Sequence, residues 1–427
     1  MHYFEAHSPD LYATEQLWRR FVAYLRKERN MIYTELCGER VSLLGYGAMR
    51  LPTLGTDKGG EVDRALTEEL IDLAMAEGIN YFDTAYPYHG GMSEIILGQI
   101  LSKYPRDSYK LATKYPGHQI SSSYNPGLVF EDQLKKCGVD YFDFYLLHDV
   151  NETSVDTYLD KRWGIIDYFL EQKRLGRIKH LGFSTHARVE GLRAFLDGVG
   201  GQLDFCQIQL NYLDHTLQCA KEKYELLTEC GIPIVVMEPV RGGKLANLNP
   251  ELRSELDRHD PSASSASFAF RYLHGFDGVK VVLSGMSDMA QLRDNIKTFS
   301  HRKPLSPSEL RTVLSIAERM KSGVPCTGCR YCTDLCPAGL DIPMLMETYN
   351  ELSVTKTMNA ARRVEFLPEG KRPVDCIVCG RCVGICPQGI DVPAVLATLW
   401  QTYEQMPKWA EICKKREEES KSLRKES

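Results

Sequence analysis

The sequence predicts an α/β protein in which a (β/α)8 barrel precedes a smaller, mostly helical domain. Three observations predict it. Between residues 31 and 300, eight short apolar runs alternate with amphipathic segments, as in eight strand–helix units. Eight of the fourteen cysteines fall between Cys326 and Cys386. A chain of 427 residues is also too long for one small domain.

The elements follow from the period of the apolar residues. The strand candidates are Val41–Tyr46, Tyr81–Asp83, Tyr109–Lys114, Phe142–His148, His180–Ser184, Phe205–Gln209, Ile234–Glu238 and Val279–Ser284. The helix candidates are Thr67–Ala76, Ser93–Leu101, Leu128–Cys137, Val155–Leu175, Val189–Leu196, Gln218–Cys230, Ala263–Leu273, Met289–Thr298 and Pro307–Lys321. An open, doubly wound sheet is the alternative fold, but the segment Gly45–Ala48 lacks the glycine-rich turn of such sheets.

Four regions are expected along the chain. Residues 1–30 form an N-terminal helical extension, whose apolar stripe predicts packing on the body of the protein, with a partner-binding or membrane-surface helix as the alternative. Residues 31–305 form the barrel, and residues 306–395 form the helical domain with the cysteines. Residues 396–427 form a charged helix or tail, in which the run from Lys414 to Glu426 predicts a solvated helix end.

Composition excludes several classes of function. The chain is 43% hydrophobic and 26% charged, and its formal net charge is −5. It carries no basic footprint for nucleic acid. No apolar run is long enough to span a membrane, and no secretion signal is evident. These features predict a cytoplasmic protein, in which clustered cysteines more often bind metal than form disulfides.

The clustered cysteines form two runs with identical spacing, C-x2-C-x2-C-x3-C-P. Three closely spaced thiolates surround one cubane, and the fourth, ahead of proline, ligates the other. The assignment is therefore one [4Fe–4S] cluster on Cys326, Cys329, Cys332 and Cys386, and a second on Cys376, Cys379, Cys382 and Cys336. Structural zinc is the alternative, but zinc sites use ligand pairs separated by longer loops. The pattern resembles two-cluster ferredoxins, and the helical segments expected at Met344–Glu351 and Thr357–Val364 favour the helical variety.

Four polar residues stand at or just beyond predicted strand ends: Asp83, Tyr88, Lys114 and His148. In a barrel they converge on the carboxyl-terminal face, where active sites lie. Hydride reduction of a carbonyl leaves an alkoxide that needs a proton. Tyr88 can donate it if the Lys114 cation lowers the phenol pKa, with Asp83 balancing that charge. His148 can orient the carbonyl or assist the proton transfer.

These residues, in their sequence context, resemble the tetrad of the aldo-keto reductase family. The composite of barrel and cysteine domain resembles the iron–sulfur branch of that family. The resemblance implies NADPH or NADH bound without a Rossmann motif. It places amide contacts at Ser184 and Gln207, the pyrophosphate at Arg241, Gly242 and Gly243, and the adenosine pocket at Ser287, Gln291 and Asn295. No Lys or Arg stands near position 286 for a 2′-phosphate, which weakens the preference for NADPH.

The expected function is oxidoreduction of a small carbonyl or alcohol substrate, with the clusters passing electrons to or from a partner protein. One difficulty is physical. A nicotinamide gives two electrons as hydride while each cluster takes one, and the sequence shows no flavin fingerprint. The barrel and the clusters then serve different partners, or the substrate accepts single electrons. The alternative function is a non-catalytic, nucleotide-binding redox sensor or scaffold with structural clusters.

Overall fold

The computed structural model describes residues 31–55, 61–117, 125–152, 154–320, 323–324, 326, 328, 330–355, 357–386 and 388–423. The extension expected over residues 1–30 therefore lies outside the described residues. The described chain forms a closed, eight-stranded parallel barrel followed by a helical domain. The predicted (β/α)8 fold is confirmed. The doubly wound alternative is excluded, because the last strand pairs with the first barrel strand.

A hairpin of two antiparallel strands, β1 (Tyr33–Leu36) and β2 (Glu39–Ser42), precedes the barrel. The sequence predicted one strand over Val41–Tyr46, which was wrong, because the chain breaks between β2 and the barrel strand. The Asn80 side chain accepts the Ser42 backbone N–H at 2.7 Å, and Ser42 Oγ donates to the Leu44 carbonyl at 2.7 Å. These bonds turn the chain from the hairpin into the barrel.

The barrel strands pair with their neighbours in chain order. They are β3 (Leu44–Gly47), β4 (Tyr81–Asp83), β5 (Lys110–Tyr115), β6 (Phe142–Val150), β7 (Ile178–Thr185), β8 (Cys206–Gln209), β9 (Ile234–Met237) and β10 (Val279–Ser284). Side chains of β4, β5, β6, β9 and β10, among them Phe144, form one apolar cluster with Leu36 and Val41 of the hairpin and with Phe205, which precedes β8. This filled interior leaves the carboxyl-terminal mouth of the barrel for polar groups.

Eighteen α-helices occur among the described residues. They are α1 (Arg64–Ala76), α2 (Met92–Leu101), α3 (Pro126–Cys137), α4 (Val155–Leu159), α5 (Ile165–Arg174), α6 (Val189–Val199), α7 (Asp214–Leu217), α8 (Ala220–Glu229), α9 (Pro250–Asp257), α10 (Ser265–Leu273), α11 (Met289–Thr298), α12 (Pro307–Met320), α13 (Tyr331–Asp334), α14 (Ile342–Thr355), α15 (Met358–Glu365), α16 (Arg381–Ile385), α17 (Val392–Glu404) and α18 (Trp409–Leu423).

Two helix predictions differ from the structure, and some helices were not predicted. The single helix expected over Val155–Leu175 is divided into α4 and α5, and Gly164 between them adopts a positive φ of 57°. The helix expected over Gln218–Cys230 begins later, at α8, because Cys219 adopts a φ of 49°. Helix α9 was not predicted, although Asn249 caps it by accepting the Leu252 backbone N–H.

The helical domain contains a structural duplication that matches the two cysteine runs. Each run contains a short helix, α13 or α16, and is followed by a long helix, α14 or α17. The two long helices pack against each other through buried residues that include Leu345, Met346, Leu396 and Leu399. Within the described chain, no helix combines the length and the apolar composition needed to cross a bilayer.

Candidate active site

Asp83 and Lys114 form a buried ion pair at the carboxyl ends of β4 and β5. The Lys114 ammonium donates to Asp83 Oδ1 at 2.5 Å and to the Thr84 carbonyl at 2.7 Å. The two side chains are only 4% and 1% exposed. Because a buried charge is costly without a partner, the carboxylate and the carbonyl fix the ammonium at the mouth of the barrel.

Tyr88 and His148 lie beside this ion pair. Lys114 Nζ lies 5.0 Å from the centroid of the Tyr88 ring and hydrogen-bonds with its phenol. The Tyr88 and His148 rings lie 5.9 Å apart, centroid to centroid, and meet edge to face at 81°. The structure therefore brings together all four residues of the predicted tetrad.

A strained turn after β4 carries Tyr88. The 3-10 turn Tyr88–Gly91 contains three consecutive positive φ angles, 51° at His89, 63° at Gly90 and 91° at Gly91. Glycine adopts such angles freely, whereas His89 does so at a cost. His89 is held in place because its Nε2 accepts the Leu51 backbone N–H at 3.2 Å. Strain of this kind is common where a protein positions a functional group.

The protonation states suit a proton donor. Burial raises the pKa of the Tyr88 phenol above its usual value near 10, and the Lys114 cation offsets part of that rise. The sequence-based expectation of a lowered Tyr88 pKa is therefore wrong for the protein alone, because burial outweighs the cation. Burial disfavours the Lys114 cation, but the neighbouring Asp83 and Tyr88 outweigh it and raise the pKa of Lys114. A neutral phenol thus faces a stable cation.

Ser184 and Gln207 face each other across the pairing of β7 and β8, and both are buried. Gln207 Nε2 lies 3.5 Å from Asp83 Oδ2, while Gln207 Oε1 is buried and accepts no hydrogen bond from the described residues. Ser184 Oγ accepts the Asp149 backbone N–H at 2.9 Å, and a hydroxyl can still donate while it accepts. An acceptor and a donor side by side fit the carboxamide of a nicotinamide.

The loop after β9 places its arginine differently from its glycines. Arg241, at 3% exposure, donates to Asp214 Oδ2 at 2.8 Å and lies 3.4 Å from Glu351 Oε1. Its charge is therefore committed to two carboxylates. Gly242 is exposed and, like Gly243, adopts a positive φ. Of these three residues, only the two glycines leave backbone that a phosphate could approach.

Arg50, which the sequence analysis missed, lies across this loop. A Cβ placed on Gly242 would lie 3.0 Å from Arg50 Nη2, and a Cβ placed on Gly285 would lie 3.0 Å from Arg50 Cβ. Ser287 Oγ donates to the Arg50 carbonyl at 2.9 Å. The side chain of the exposed Arg50 thus spans the loops after β9 and β10, and it places an arginine close to position 286, where the sequence analysis had found none. The sequence did contain one signal that could have identified Arg50, because this residue lies just beyond the first barrel strand.

The three residues expected at the adenosine pocket separate into two groups. Gln291 is exposed. Its Oε1 accepts the Ser287 backbone N–H at 3.0 Å, and its Nε2 donates to Asp288 Oδ2 at 2.7 Å. Asn295 is buried and donates to Ser284 Oγ at 2.9 Å. Ser287 and Gln291 therefore lie beside Arg50 at the surface, whereas Asn295 supports the end of β10.

The two cysteine runs share an unusual backbone conformation. Gly328 and Val378 occupy equivalent positions and adopt φ angles of 70° and 55°. Arg330 and Gly380, also equivalent, adopt 66° and 71°. A positive φ is costly for an arginine and more so for a β-branched valine. Two runs of different sequence thus share one strained backbone conformation, as expected if each wraps the same kind of cluster.

Four thiols of the second predicted cluster surround one pocket. Cys336 of the first run lines it together with Cys376, Cys379 and Cys382 of the second run. Burial and neighbouring thiols raise the pKa of Cys382, and bound iron would offset that effect. Among the described residues, no three His, Cys, Asp or Glu side chains close around a single ion. Cys329 of the first cluster lies outside the described residues.

Comparisons with known proteins agree with both parts. Residues 43–318 match the Aldo/keto reductase family, and residues 325–390 match the 4Fe-4S dicluster domain. The chain belongs to the aldo/keto reductase family. In this aldo/keto reductase, the dicluster domain follows the barrel directly.

Several individual relatives each match part of this aldo/keto reductase. An NADH-specific methylglyoxal reductase of Escherichia coli is 28% identical over 48% of the chain, which spans 65% of that protein. A probable aldo-keto reductase of Glycine max is 30% identical over 52% of the chain and 64% of that protein. The chain thus spans just under two thirds of these two relatives. A solved aldo-keto reductase of Bacillus halodurans aligns with a TM-score of 0.54 at 27% identity, covering 67% of this chain and 96% of that one.

Buried ion pairs join the barrel to the cluster domain. Glu351 of α14 accepts Arg363 Nη1 at 2.8 Å as well as the more distant Arg241 of the barrel. Burial alone would raise the pKa of Glu351, but the two guanidinium groups hold it below its usual range. A second pair links Arg362 of α15 to Asp149, which follows His148, at 2.6 Å. The cluster domain is therefore anchored beside the candidate catalytic residues.

The last helix also reaches the active site. The Glu365 carboxylate accepts the Trp409 backbone N–H at 2.8 Å, and the Arg362 guanidinium lies 4.3 Å from the Trp409 ring. From this anchor, α18 contacts the turn that carries Tyr88. Arg416 is half-buried and contributes a positive charge near the Tyr88 phenol. Helix α18 thus continues through the run expected to be a solvated helix end, and within that run Lys414, Lys415 and Glu418 are exposed.

Proposed function

We propose that this protein interconverts a small carbonyl compound and its alcohol at the barrel mouth with NAD(P)H, and exchanges electrons with a partner protein through two [4Fe–4S] clusters. The observation that carries the proposal is the assembly of the buried Asp83–Lys114 ion pair with Tyr88 and His148 beside it. A phenol hydrogen-bonded to a lysine cation, with an imidazole edge beside it, is the arrangement that carbonyl reduction requires.

Each residue has one task in this proposal. A bound nicotinamide supplies the hydride. Tyr88 binds the carbonyl oxygen and gives it a proton, and Lys114 stabilises the negative charge that the phenol oxygen then carries. Asp83 holds Lys114 in place and cationic, and His148 orients the carbonyl. Burial of the ion pair strengthens these interactions, because the local dielectric constant is low.

The nucleotide contacts extend from the carboxamide to the phosphates. Ser184 and Gln207 would hold the carboxamide, and the backbone of Gly242 and Gly243 would approach the pyrophosphate. Arg50 would supply the cation there, because its guanidinium lies against Gly242. An arginine suits a phosphate because its N–H groups bind two oxygens at once. Ser287 and Gln291 would line the adenosine end.

Exchange with a partner protein is supported by the surface around the second cluster pocket. Cys379 is exposed, and beside it Ile377 and Val378 are 64% and 72% exposed. Val374, Val383 and Ile385 add further exposed apolar surface in the same segment. Exposed apolar groups gathered at one place mark interaction sites, and here they surround a cluster ligand.

The test is anaerobic oxidation of NADH and NADPH by the cluster-loaded protein with a panel of aldehydes and ketones. Tyr88→Phe should lower kcat by about 10²- to 10⁴-fold, the usual contribution of a general acid. Tyr33→Phe is the matched control. Tyr33 lies on the hairpin, away from the site, and its hydroxyl donates to the Gly78 carbonyl. Equal turnover by wild type and Tyr88→Phe would overturn the proton donor. Tight nucleotide binding without any turnover would favour the redox sensor.

A further inference from the structure

A cavity of about 290 Å³ lies between the barrel and the cluster domain. The loops that follow β6 and β7 form one wall, and α14, α15 and the turn after α15 form the other. Its size is near the lower end of ordinary ligand sites, which run from roughly 300 to 1,000 Å³. No residue of the proposed nucleotide site lines it.

Three guanidinium groups face this cavity, and a carboxylate fixes each of them. The pairs are Arg188 with Glu347 at 2.8 Å, Arg362 with Asp149 at 2.6 Å, and Arg363 with Glu351 at 2.8 Å. A guanidinium has five N–H donors, so at Arg188 and Arg363 one carboxylate orients the group without using all of them. The wall therefore presents preorganised donors of the kind that bind phosphate in bidentate fashion.

Aromatic, apolar and amide groups complete the lining. Phe366 is 47% exposed at the cavity, with Leu367 and Met344 beside it. Asn359 Nδ2 donates to His186 Nδ1 at 2.9 Å, which places the imidazole hydrogen on Nε2. Burial lowers the pKa of His186, so its ring is neutral near pH 7. An aromatic face, polar edges and clustered guanidiniums suit a planar heteroaromatic ring with a phosphate tail.

The cavity lies between the two redox sites. On the cluster side, Ile342 lines the pocket of the second cluster, and Met344, two residues further along α14, lines the cavity. Only the first turn of a helix, about 10 Å across, separates the two spaces. On the barrel side, His186 follows Ser184 by two residues, or about 7 Å of extended chain. A ligand here would be near both the carboxamide site and the cluster thiols.

This position bears on the mismatch between hydride and single-electron chemistry. Building on the function proposed above, we propose that the cavity binds a cofactor of the flavin mononucleotide class, with its ring against Phe366 and its phosphate on the guanidinium groups. Such a ring takes a hydride from NAD(P)H and one proton from water. It then returns two electrons, one to each cluster, and releases two protons. The lining comes from two domains, so no linear motif would reveal it.

The test titrates flavin mononucleotide with the cluster-loaded protein under anaerobic conditions and follows flavin fluorescence. We expect saturable quenching. Arg188→Met should weaken binding about tenfold, as expected for loss of one charge-assisted hydrogen bond. Arg193→Met, an exposed arginine on α6 outside the cavity lining, is the matched control and should bind like wild type. Phe366→Ala should weaken binding as well, because it removes the stacking surface.

Two results would overturn the proposal: no quenching with wild type, or equal affinity of Arg188→Met and Arg193→Met. A second measurement follows bleaching of the cluster absorption by NAD(P)H. We expect it to require flavin mononucleotide and to be slowed by Arg188→Met, and bleaching that is independent of the flavin would contradict the role in electron transfer. Tyr88→Phe should lower carbonyl turnover about 10²- to 10⁴-fold and leave flavin binding unchanged, so failure of the catalytic assignment is distinct from failure of this one.

Discussion

Replacing Glu351 with glutamine tests whether the buried ions hold the two domains together. The Glu351 side chain is fully buried, and it receives Arg363 at 2.8 Å, Arg241 at 3.4 Å and the Gln218 amide. Glu351→Gln keeps the size of the side chain and one carbonyl acceptor but removes the charge. Removing one partner of a buried ion pair costs about 3–5 kcal/mol, because the remaining charge stays buried.

The lower end of that range applies here. Arg241 keeps Asp214 at 2.8 Å, and Arg363 is 17% exposed, so neither guanidinium is left without compensation. We expect a loss of about 3 kcal/mol in the free energy of unfolding. With a urea dependence of about 3 kcal/mol per molar, the unfolding midpoint falls by about 1 M.

Urea unfolding followed by far-ultraviolet circular dichroism measures this loss. Asp277→Asn is the matched control, because it breaks an exposed pair with Arg302 and should cost less than about 1 kcal/mol. The double variant Glu351→Gln with Arg363→Met should be less destabilised than the sum of its single changes, since it leaves one buried charge fewer. Equal midpoints for Glu351→Gln and Asp277→Asn would refute the reasoning.

Two further predictions concern pH and the clusters. Burial, with Arg302 and Arg271 nearby, lowers the pKa of His274 to about 4. As pH falls, the unfolded chain therefore protonates at His274 before the folded chain does, and the free energy of unfolding should fall by up to about 3 kcal/mol between pH 6.5 and pH 4. A His274→Asn variant whose free energy of unfolding falls as much over this pH range would contradict this. Cys336→Ser should damage the cluster on the second run and Cys386→Ser that on the first, which electron paramagnetic resonance of the reduced protein can distinguish; loss of the same signal in both would reject the interleaved ligation.

The sequence predicted the barrel well because its strands are short apolar runs with helices between them. The error at Val41–Tyr46 has a local cause. Val41 near the end of β2 and Leu44–Tyr46 of β3 form one apolar run in the sequence, and the long-range bond from Ser42 to Asn80 shows that the chain turns within it. Helix α9 was within reach of the sequence, because Asn249 followed by Pro250 is a common helix start.

The candidate site was predictable where strand ends determine it. Asp83, Lys114 and His148 meet because parallel strands in a barrel end at the same face. Arg50 and the commitment of Arg241 were not predictable, because their partners are distant in the chain. Glu351, for example, follows Arg241 by 110 residues. The sign of the Tyr88 pKa shift also depends on burial, which no local pattern reports.

The ion pairs give the cluster domain a direct link to the catalytic face. Asp149 adopts a positive φ of 55° immediately after His148, and Arg362 holds its carboxylate. The same guanidinium stacks on Trp409, which begins the helix that contacts the turn of Tyr88. Two members of the tetrad therefore rest on elements that the cluster domain positions.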